Sequence, residues 1–259
     1  MSLKSDKDSR TEIKVIGCGE AFDSRMGNSA YLLRQPNKKS ILFDCGYQIP
    51  ERLWRYNRDK DIGIVFFSHL HADHFFGIIP LIARYWEDGR KDRLFLYGPK
   101  GFKNKIIDLA DLGYPGLIEK IDFELIFKDF IDDMPLRHEN MVIQTAQTKH
   151  SIINHAIRVD LLDSKKSIAI SGDGQHTDQS KKLICDVNLL LQETYTIENT
   201  LSTHASVKGI LQIIHELNLD KIGLAHISRK IYTQKSYRQI EKMIDGKAFL
   251  LKPNMTIQV

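Results

Sequence analysis

The stretch that decides the fold is Ile62-Gly-Ile-Val-Phe-Phe-Ser-His-Leu-His-Ala-Asp-His74. Its first half is a short run of β-branched and aromatic apolar residues behind a charged segment, the signature of a buried strand. Its second half is His69-x-His71-x-Asp73-His74. Alternate positions in an extended turn aim two imidazoles the same way, and the next bend offers a carboxylate and a third imidazole to a second ion. A buried strand that stops in such a loop points to a layered α/β domain with a metal centre at the edge of its sheet.

Working outward, other apolar runs of strand length end in the same way. MVIQTAQTK runs into His150, SIAISG into Asp173, VNLLLQ into Glu193 and KIGLA into His226. Further strands are expected at IKVIG, SAYLLR, SILFD, RLFLYG and MTIQV. Amphipathic helical patterns lie between them: after Pro50, from Gly77 to Trp86, in KNKIIDLADLG, in SVKGILQIIHEL and in KSYRQIEKMIDG with Gly246 as its stop signal. There is no fixed-period repeat and no low-complexity linker, so the expectation is one domain of mixed α/β layers over 1–259, with 1–11 a polar, flexible tail.

Composition narrows the class. The chain has 259 residues, 42% of them hydrophobic, enough for one substantial core. No apolar run is long enough to cross a bilayer and the polar start is no secretory signal, so the expectation is a cytoplasmic protein with no membrane partner. Cys18, Cys45 and Cys185 are widely spaced, which supports neither a disulfide framework nor a thiolate metal site; all three read as core residues. The net charge of +4 helps an anionic substrate approach without demanding a nucleic-acid partner.

A two-ion site built on the first loop still lacks a third ligand for one ion, a bridging carboxylate and a further histidine. The strand ends supply these in order. His69, His71 and His150 are assigned to one ion, Asp73, His74 and His226 to the other, and Asp173 to the bridge. Neutral imidazole and carboxylate suit Zn2+, with Mn2+ or Fe2+ as alternatives. His138, His155, His176 and His215 have no partner spacing and read as surface or spectator residues.

HLHADH, QTKH, SGDG and LAHIS resemble, in order, the ligand motifs of the metallo-β-lactamase superfamily. That resemblance implies an αββα four-layer sandwich and hydrolase chemistry. Within the superfamily the opening VIGCGEAF, the strand ILFDCG, LYGPKG, and HIS with Arg229 behind it are most similar to ribonuclease Z and its relatives. The resemblance implies that Asp44 orients the ligand loop, that the substrate is a phosphodiester, RNA among the candidates for an endonuclease of this kind, and that a homodimer is the assembly to look for. It also carries over a Glu and a His that assist phosphodiester cleavage, matched here by Glu193 in Leu191-Gln-Glu-Thr194 and His204 in Thr203-His-Ala-Ser206. Gln192 departs from that pattern, which has a histidine before the glutamate.

A second departure lies between His150 and Asp173. Relatives that process transfer RNA often insert a long Gly/Pro- and Lys-rich arm there, whereas this chain has only SIINHAIRVDLLDSKKSIAISG, enough for a strand hairpin. The loop from Arg84 to Lys91 mixes aromatic and basic residues and is an alternative substrate contact, but a solvated turn is the favoured account of it, because charged runs usually are that. In the mechanism these residues imply, Asp73 orients the attacking water and accepts its proton, while His204, steered by Glu193, protonates the leaving alkoxide. Rival readings are a hydrolase of a small thioester, a lactone or a small phosphodiester such as a cyclic nucleotide, a redox di-iron protein of the same fold, and an RNA-binding or scaffold module without chemistry.

Overall fold

In the computed structural model, which describes residues 10–259 apart from 133, 199 and 232, the Ile62 run forms a strand buried at every position. Residues 1–9 of the expected tail lie outside the described residues. In chain order the first half contains β1 (Glu12–Gly17), β2 (Ala30–Arg34), β3 (Ser40–Phe43), α1 (Ile49–Arg55), β4 (Ile62–Phe66), α2 (Ala72–Phe75), α3 (Ile78–Glu87), β5 (Leu94–Gly98), α4 (Phe102–Gly113), α5 (Leu117–Lys120) and β6 (Leu125–Asp129). The second half contains β7 (Leu136–His138), β8 (Met141–Gln147), β9 (His155–Leu161), β10 (Lys166–Ile170), α6 (Asp178–Ile184), β11 (Leu189–Glu193), α7 (Val207–Ile213), β12 (Ile222–Ala225), α8 (Gln234–Ile244), β13 (Phe249–Leu250) and β14 (Thr256–Gln258).

The strands form two sheets, ordered β14-β1-β2-β3-β4-β5-β6 and β13-β12-β11-β10-β9-β8-β7. Strand periodicity sorts each sheet's side chains into two faces. Phe43 and Phe66 point inward to share a core with Ile143, Ile157, Ile170 and Leu191 of the opposite sheet. Their neighbours Leu42 and Val65 point outward and pack with Leu53, Ile78, Ile82, Phe102 and Ile106. The outer face of the second sheet packs Ala169, Leu190 and Leu224 against Ile184, Val207, Ile210 and Ile240. Helices thus cover both outer faces, giving the αββα sandwich in one layered domain.

Strand direction positions the site. β3 to β6 are mutually parallel, as are β10 to β13. β9 is antiparallel to both β8 and β10, so β8 runs with β10. The C-terminal ends of β3, β4, β8, β10, β11 and β12 therefore lie toward one edge of the sandwich. Gly46 lets two of these ends close on each other. A Cβ there would stand 1.9 Å from the Asp73 carbonyl oxygen, so only glycine allows the turn after β3 to rest on the metal-type loop.

Some details depart from the sequence expectation. The helix expected through Leu217 stops as α7 at Ile213 and tightens into a 3-10 turn, a common way for a helix to end. Cys18 and Cys45 are buried as expected, but Cys185 is only partly buried at the end of α6, where its carbonyl accepts a hydrogen bond from Arg158. The Arg84–Lys91 segment begins within α3, whose ten residues carry the chain roughly 15 Å from the metal-type loop. Its charges are engaged in structure: Arg84 pairs with Asp88, Lys91 with Asp122, and Arg90 lies over the Tyr85 ring. The solvated-turn reading fits this segment. Among the described residues no helix is long and apolar enough to cross a membrane.

Candidate active site

The loop that leaves β4 places four ligand-type side chains within one turn, and three strand ends of the second sheet close on them. His69 Nε2 and His150 Nε2 each stand 3.1 Å from His71 Nδ1. Beside them, His74 Nε2 lies 3.3 Å and His226 Nε2 3.5 Å from Asp73 Oδ2. Asp173 sits between the groups. Its Oδ2 is 3.8 Å from His69 Nε2, 4.0 Å from His150 Nε2 and 3.5 Å from His226 Nε2, while Oδ1 is 3.5 Å from His74 Nε2. The structure brings together all seven residues assigned to the ions, in the two groups expected and with Asp173 touching both.

The tautomers follow from the surrounding hydrogen bonds. His74 donates Nδ1–H to Asp44 Oδ2 at 2.8 Å, and His150 donates Nδ1–H to the Thr203 carbonyl at 2.7 Å. The Ser68 hydroxyl donates to Asp44 Oδ2, so its oxygen accepts from His69 Nδ1–H at 3.0 Å. Each of these rings therefore turns Nε2 toward the centre, where it offers a lone pair when the ring is neutral. Asp44 also accepts from the Ser68 backbone N–H at 2.7 Å, so one carboxylate fixes both the start of the loop and the His74 ring. Asp44 and His226 both adopt left-handed backbone, with φ of 59° and 57°, where their strands end and the chain turns into the site. Such conformations in non-glycine residues collect at sites whose surroundings over-determine them.

The charge balance is lopsided without a cation. Burial holds His69 well below the ordinary imidazole range and lowers His71 and His150, with carboxylates acting the other way. Burial opposes charge on His74 and His226 as well, but Asp173 and Asp73 outweigh it, raising His74 well above its usual value and His226 to about 9. Burial would raise Asp73 and Asp173, yet the facing histidines hold both far below the carboxylate range. His74 Nε2 and both ring nitrogens of His226 are buried without a hydrogen-bond partner. Inward lone pairs, two buried carboxylates and unpartnered ring nitrogens are a donor set that fits two small divalent cations.

Glu193 and His204 adjoin this cluster. Glu193, at the end of β11, accepts from His204 Nδ1 at 3.0 Å, from the Tyr195 backbone N–H at 3.1 Å and from the Ala205 backbone N–H at 2.8 Å. Burial raises its pKa, with the His204 hydrogen bond opposing. The His204 ring stacks on Tyr195 at 4.5 Å and meets His150 edge-on at 5.0 Å. Nitrogens and oxygens of His150, Asp173 and His204 all lie within 4.8 Å of one another.

Three contributors carry no sequence signal of their own. Asn154, fully buried, donates to the Asp173 carbonyl at 2.6 Å and accepts from the Asp173 N–H at 3.2 Å, clasping Asp173 by its backbone. His155 is 96% buried rather than peripheral: it pairs with Asp132 at 3.2 Å, and its backbone N–H donates to the Ser68 carbonyl. His176, expected to be a spectator, lies 2.8 Å from Gln192. Of the remaining two, His138 Nδ1 is hydrogen-bonded with the Tyr97 hydroxyl at 2.7 Å and His215 is exposed.

Known proteins place this geometry in a family. The sequence profile of the anti-Pycsar protein Apyc1 family matches residues 11–248. The chain is 30% identical over 157 residues to ribonuclease Z of Clostridium acetobutylicum, a match covering 58% of this chain and 50% of that protein. It thus spans about half the length of such curated relatives. Among solved structures, the metallo-β-lactamase fold protein YhfI of Bacillus subtilis superposes with a TM-score of 0.78 at 22% identity, over 95% of this chain and 99% of that one. The short form of human tRNase Z gives 0.78 at 21% identity, over 95% and 98%. The chain has the metallo-β-lactamase fold, and it belongs to the anti-Pycsar protein Apyc1 family.

Proposed function

We propose that this chain is a two-metal phosphodiesterase whose substrate is a small phosphodiester, with cyclic nucleotides in that class. The observation that carries the reading is the Glu193–His204 pair held against the cation-type cluster. The thiolate of a thioester leaves without a proton donor, whereas the alkoxide leaving a phosphorus centre, like that of a lactone, needs one. His69, His71 and His150 would hold one ion, Asp73, His74 and His226 the other, with Asp173 between them, and Zn2+ suits these donors ahead of Mn2+ or Fe2+. When bound, the ions supply Lewis-acid polarisation of the phosphoryl oxygen and a water acidic enough to attack near neutral pH.

The chain's own residues do the rest. Asp73, kept ionised by His74 and His226, would accept a hydrogen bond from the attacking water and so orient it. His204 has Nδ1 committed to Glu193, so Nε2 is the nitrogen left to protonate the leaving oxygen. The small-substrate part of the reading rests on β9 and β10. These two strands form the hairpin expected between His150 and Asp173, and only short loops join them to those residues. A tRNA-sized anion is held by many phosphate contacts, and a missing basic arm removes several at once.

The test is a substrate panel of bis-p-nitrophenyl phosphate, a cyclic nucleotide, precursor tRNA, a thioester and a lactone, run with and without chelator. The proposal expects chelator-sensitive hydrolysis of the first two. Turnover confined to the thioester or lactone would overturn it.

A further inference from the structure

The departure at Gln192 leads to a residue the proposed mechanism does not use. Gln192 is fully buried on β11, immediately before Glu193. Its Nε2 donates to the Glu193 backbone carbonyl at 2.8 Å, which fixes the orientation of the amide and turns Oε1 the other way. Oε1 then faces His176 Nε2 at 2.8 Å. Because a carbonyl oxygen only accepts, His176 must carry its proton on Nε2. Its Nδ1 is left as an acceptor, and the Ser180 hydroxyl donates to it at 3.0 Å.

Ser180 is itself anchored. It belongs to the capping box of α6, in which Thr177 Oγ1 accepts from the Ser180 N–H at 3.1 Å and Ser180 Oγ accepts from the Thr177 N–H at 2.8 Å. The Glu193 N–H is tied down separately, donating to Ser171 Oγ at 2.9 Å. One continuous path thus runs from the α6 cap through Ser180, His176 and Gln192 to the Glu193 backbone, and from the Glu193 carboxylate to His204. The Gln192 amide sets the direction of the bond at His176; Ser180 Oγ also reaches the Thr177 carbonyl at 3.1 Å, and Glu193 Oε1 accepts from the Tyr195 N–H as well as from His204. A network satisfied in this way holds its members to one geometry.

We propose that His176 is a positioning residue for the proton-donor pair: through Gln192 it sets the placement of Glu193 and hence of the His204 ring. The inference rests on the reading of His204 as proton donor.

The test compares His176→Ala, His176→Gln and Gln192→Leu with the native chain on two phosphodiesters, one releasing an alkoxide and one releasing p-nitrophenolate, together with metal content and the imidazole 15N spectrum. His176→Ala and Gln192→Leu should lower kcat on the alkyl ester about 10- to 100-fold, the scale of a misplaced catalytic group. KM, metal content and the p-nitrophenyl ester rate should stay near native. His176→Gln, which can still present an N–H to Gln192 Oε1, should recover most of the loss even where the alanine variant folds poorly. In the native protein His176 should appear as the Nε2–H tautomer. If Glu193→Gln and His204→Ala discriminate between the two esters while His176→Ala and Gln192→Leu do not, the positioning role is overturned and the proton-donor reading survives. If Glu193→Gln and His204→Ala themselves lose equally on both esters, the proton-donor reading falls. Positioning is then judged on the His204 Nδ1 resonance, which His176→Ala must move and His176→Gln restore; an unmoved resonance overturns it.

Discussion

Replacing Asp44 by Asn should weaken one of the two ions more than the other. Asp44 accepts three hydrogen bonds of 2.7 to 2.8 Å, two from Ser68 and one from His74 Nδ1. Asparagine tolerates the left-handed backbone found there, so the substitution changes the electrostatics with little added strain. Its amide nitrogen cannot accept, so either the His74 Nδ1–H or the Ser68 backbone N–H loses its acceptor. With the nitrogen toward His74, that ring is left unpaired in a buried site or switches tautomer and puts a hydrogen on Nε2, where a ligand lone pair is required; with the nitrogen toward Ser68, the loop that carries His74 loses its anchor. Losing a hydrogen bond to a charged acceptor costs about 1.5–3 kcal/mol. Loss of the group that orients a metal-bound histidine costs about 10- to 100-fold in affinity, or roughly 1.4–2.7 kcal/mol, so the two routes agree. Competition against a chromogenic chelator gives both affinities in one titration. The ion of the Asp73, His74 and His226 group should lose that 10- to 100-fold, and the ion of the three-histidine group should lose less, because Asp44 reaches it only indirectly, through the Ser68 hydroxyl on His69 and through Asp173. Equal losses at both sites, or none at either, would refute the assignment of Asp44 to His74.

Glu193→Gln and His204→Ala should reduce hydrolysis of phosphodiesters with poor leaving groups by about 100- to 10,000-fold and leave metal content and p-nitrophenolate release nearly unchanged; a leaving-group series decides it, and equal loss across the series rules out the acid role of His204. In the metal-free protein His226 is raised to about 9, so its contribution to stability is fully present below the unfolded histidine value and is lost as pH rises through about 9. Thermal melts of the stripped protein should therefore fall between about pH 6.5 and 9, and addition of Zn2+ should flatten that slope because bound imidazole is neutral; identical slopes with and without metal would contradict the His226 assignment. At fixed ionic strength kcat/KM for precursor tRNA should be far below that of an arm-bearing ribonuclease Z while bis-p-nitrophenyl phosphate is turned over well. Efficient, accurate 3′ cleavage of the precursor would restore tRNA maturation as the leading activity.

The site was legible in the sequence where an apolar run stops at a ligand-type residue, because burial fixes the strand and the strand end fixes the edge. That logic reached the ends of β4, β8, β10, β11 and β12, together with the glycine stop after α8, where Gly246 adopts φ 73°. It failed where the pattern is weak. β6 is an edge strand with no fully buried position, β13 has two residues, and α6 is a single short helix capped by Thr177 and Ser180 rather than by the Ser/Thr with Glu/Gln pair that marks a capping box. It also failed where a role depends on tertiary placement. His176 and Gln192 are 16 positions apart, and Asn154 is 19 from the Asp173 backbone it clasps, so no local spacing joins either pair. Asp44 was reachable only by resemblance, since a strand-end aspartate is an ordinary cap until the fold lays it against Ser68 and His74.

The claim on which the rest depends is that His69, His71, Asp73, His74, His150, Asp173 and His226 form a two-cation centre required for turnover. The direct measurement is metal content by elemental mass spectrometry, paired with phosphodiesterase rate, on the native chain, on His71→Ala and Asp173→Ala, and on a chelator-stripped sample before and after Zn2+ is returned. The account predicts about two divalent ions per chain in the native protein, a fall in both occupancy and rate in each variant, and recovery of the stripped sample with added metal. Full phosphodiesterase activity in a metal-free preparation would contradict it.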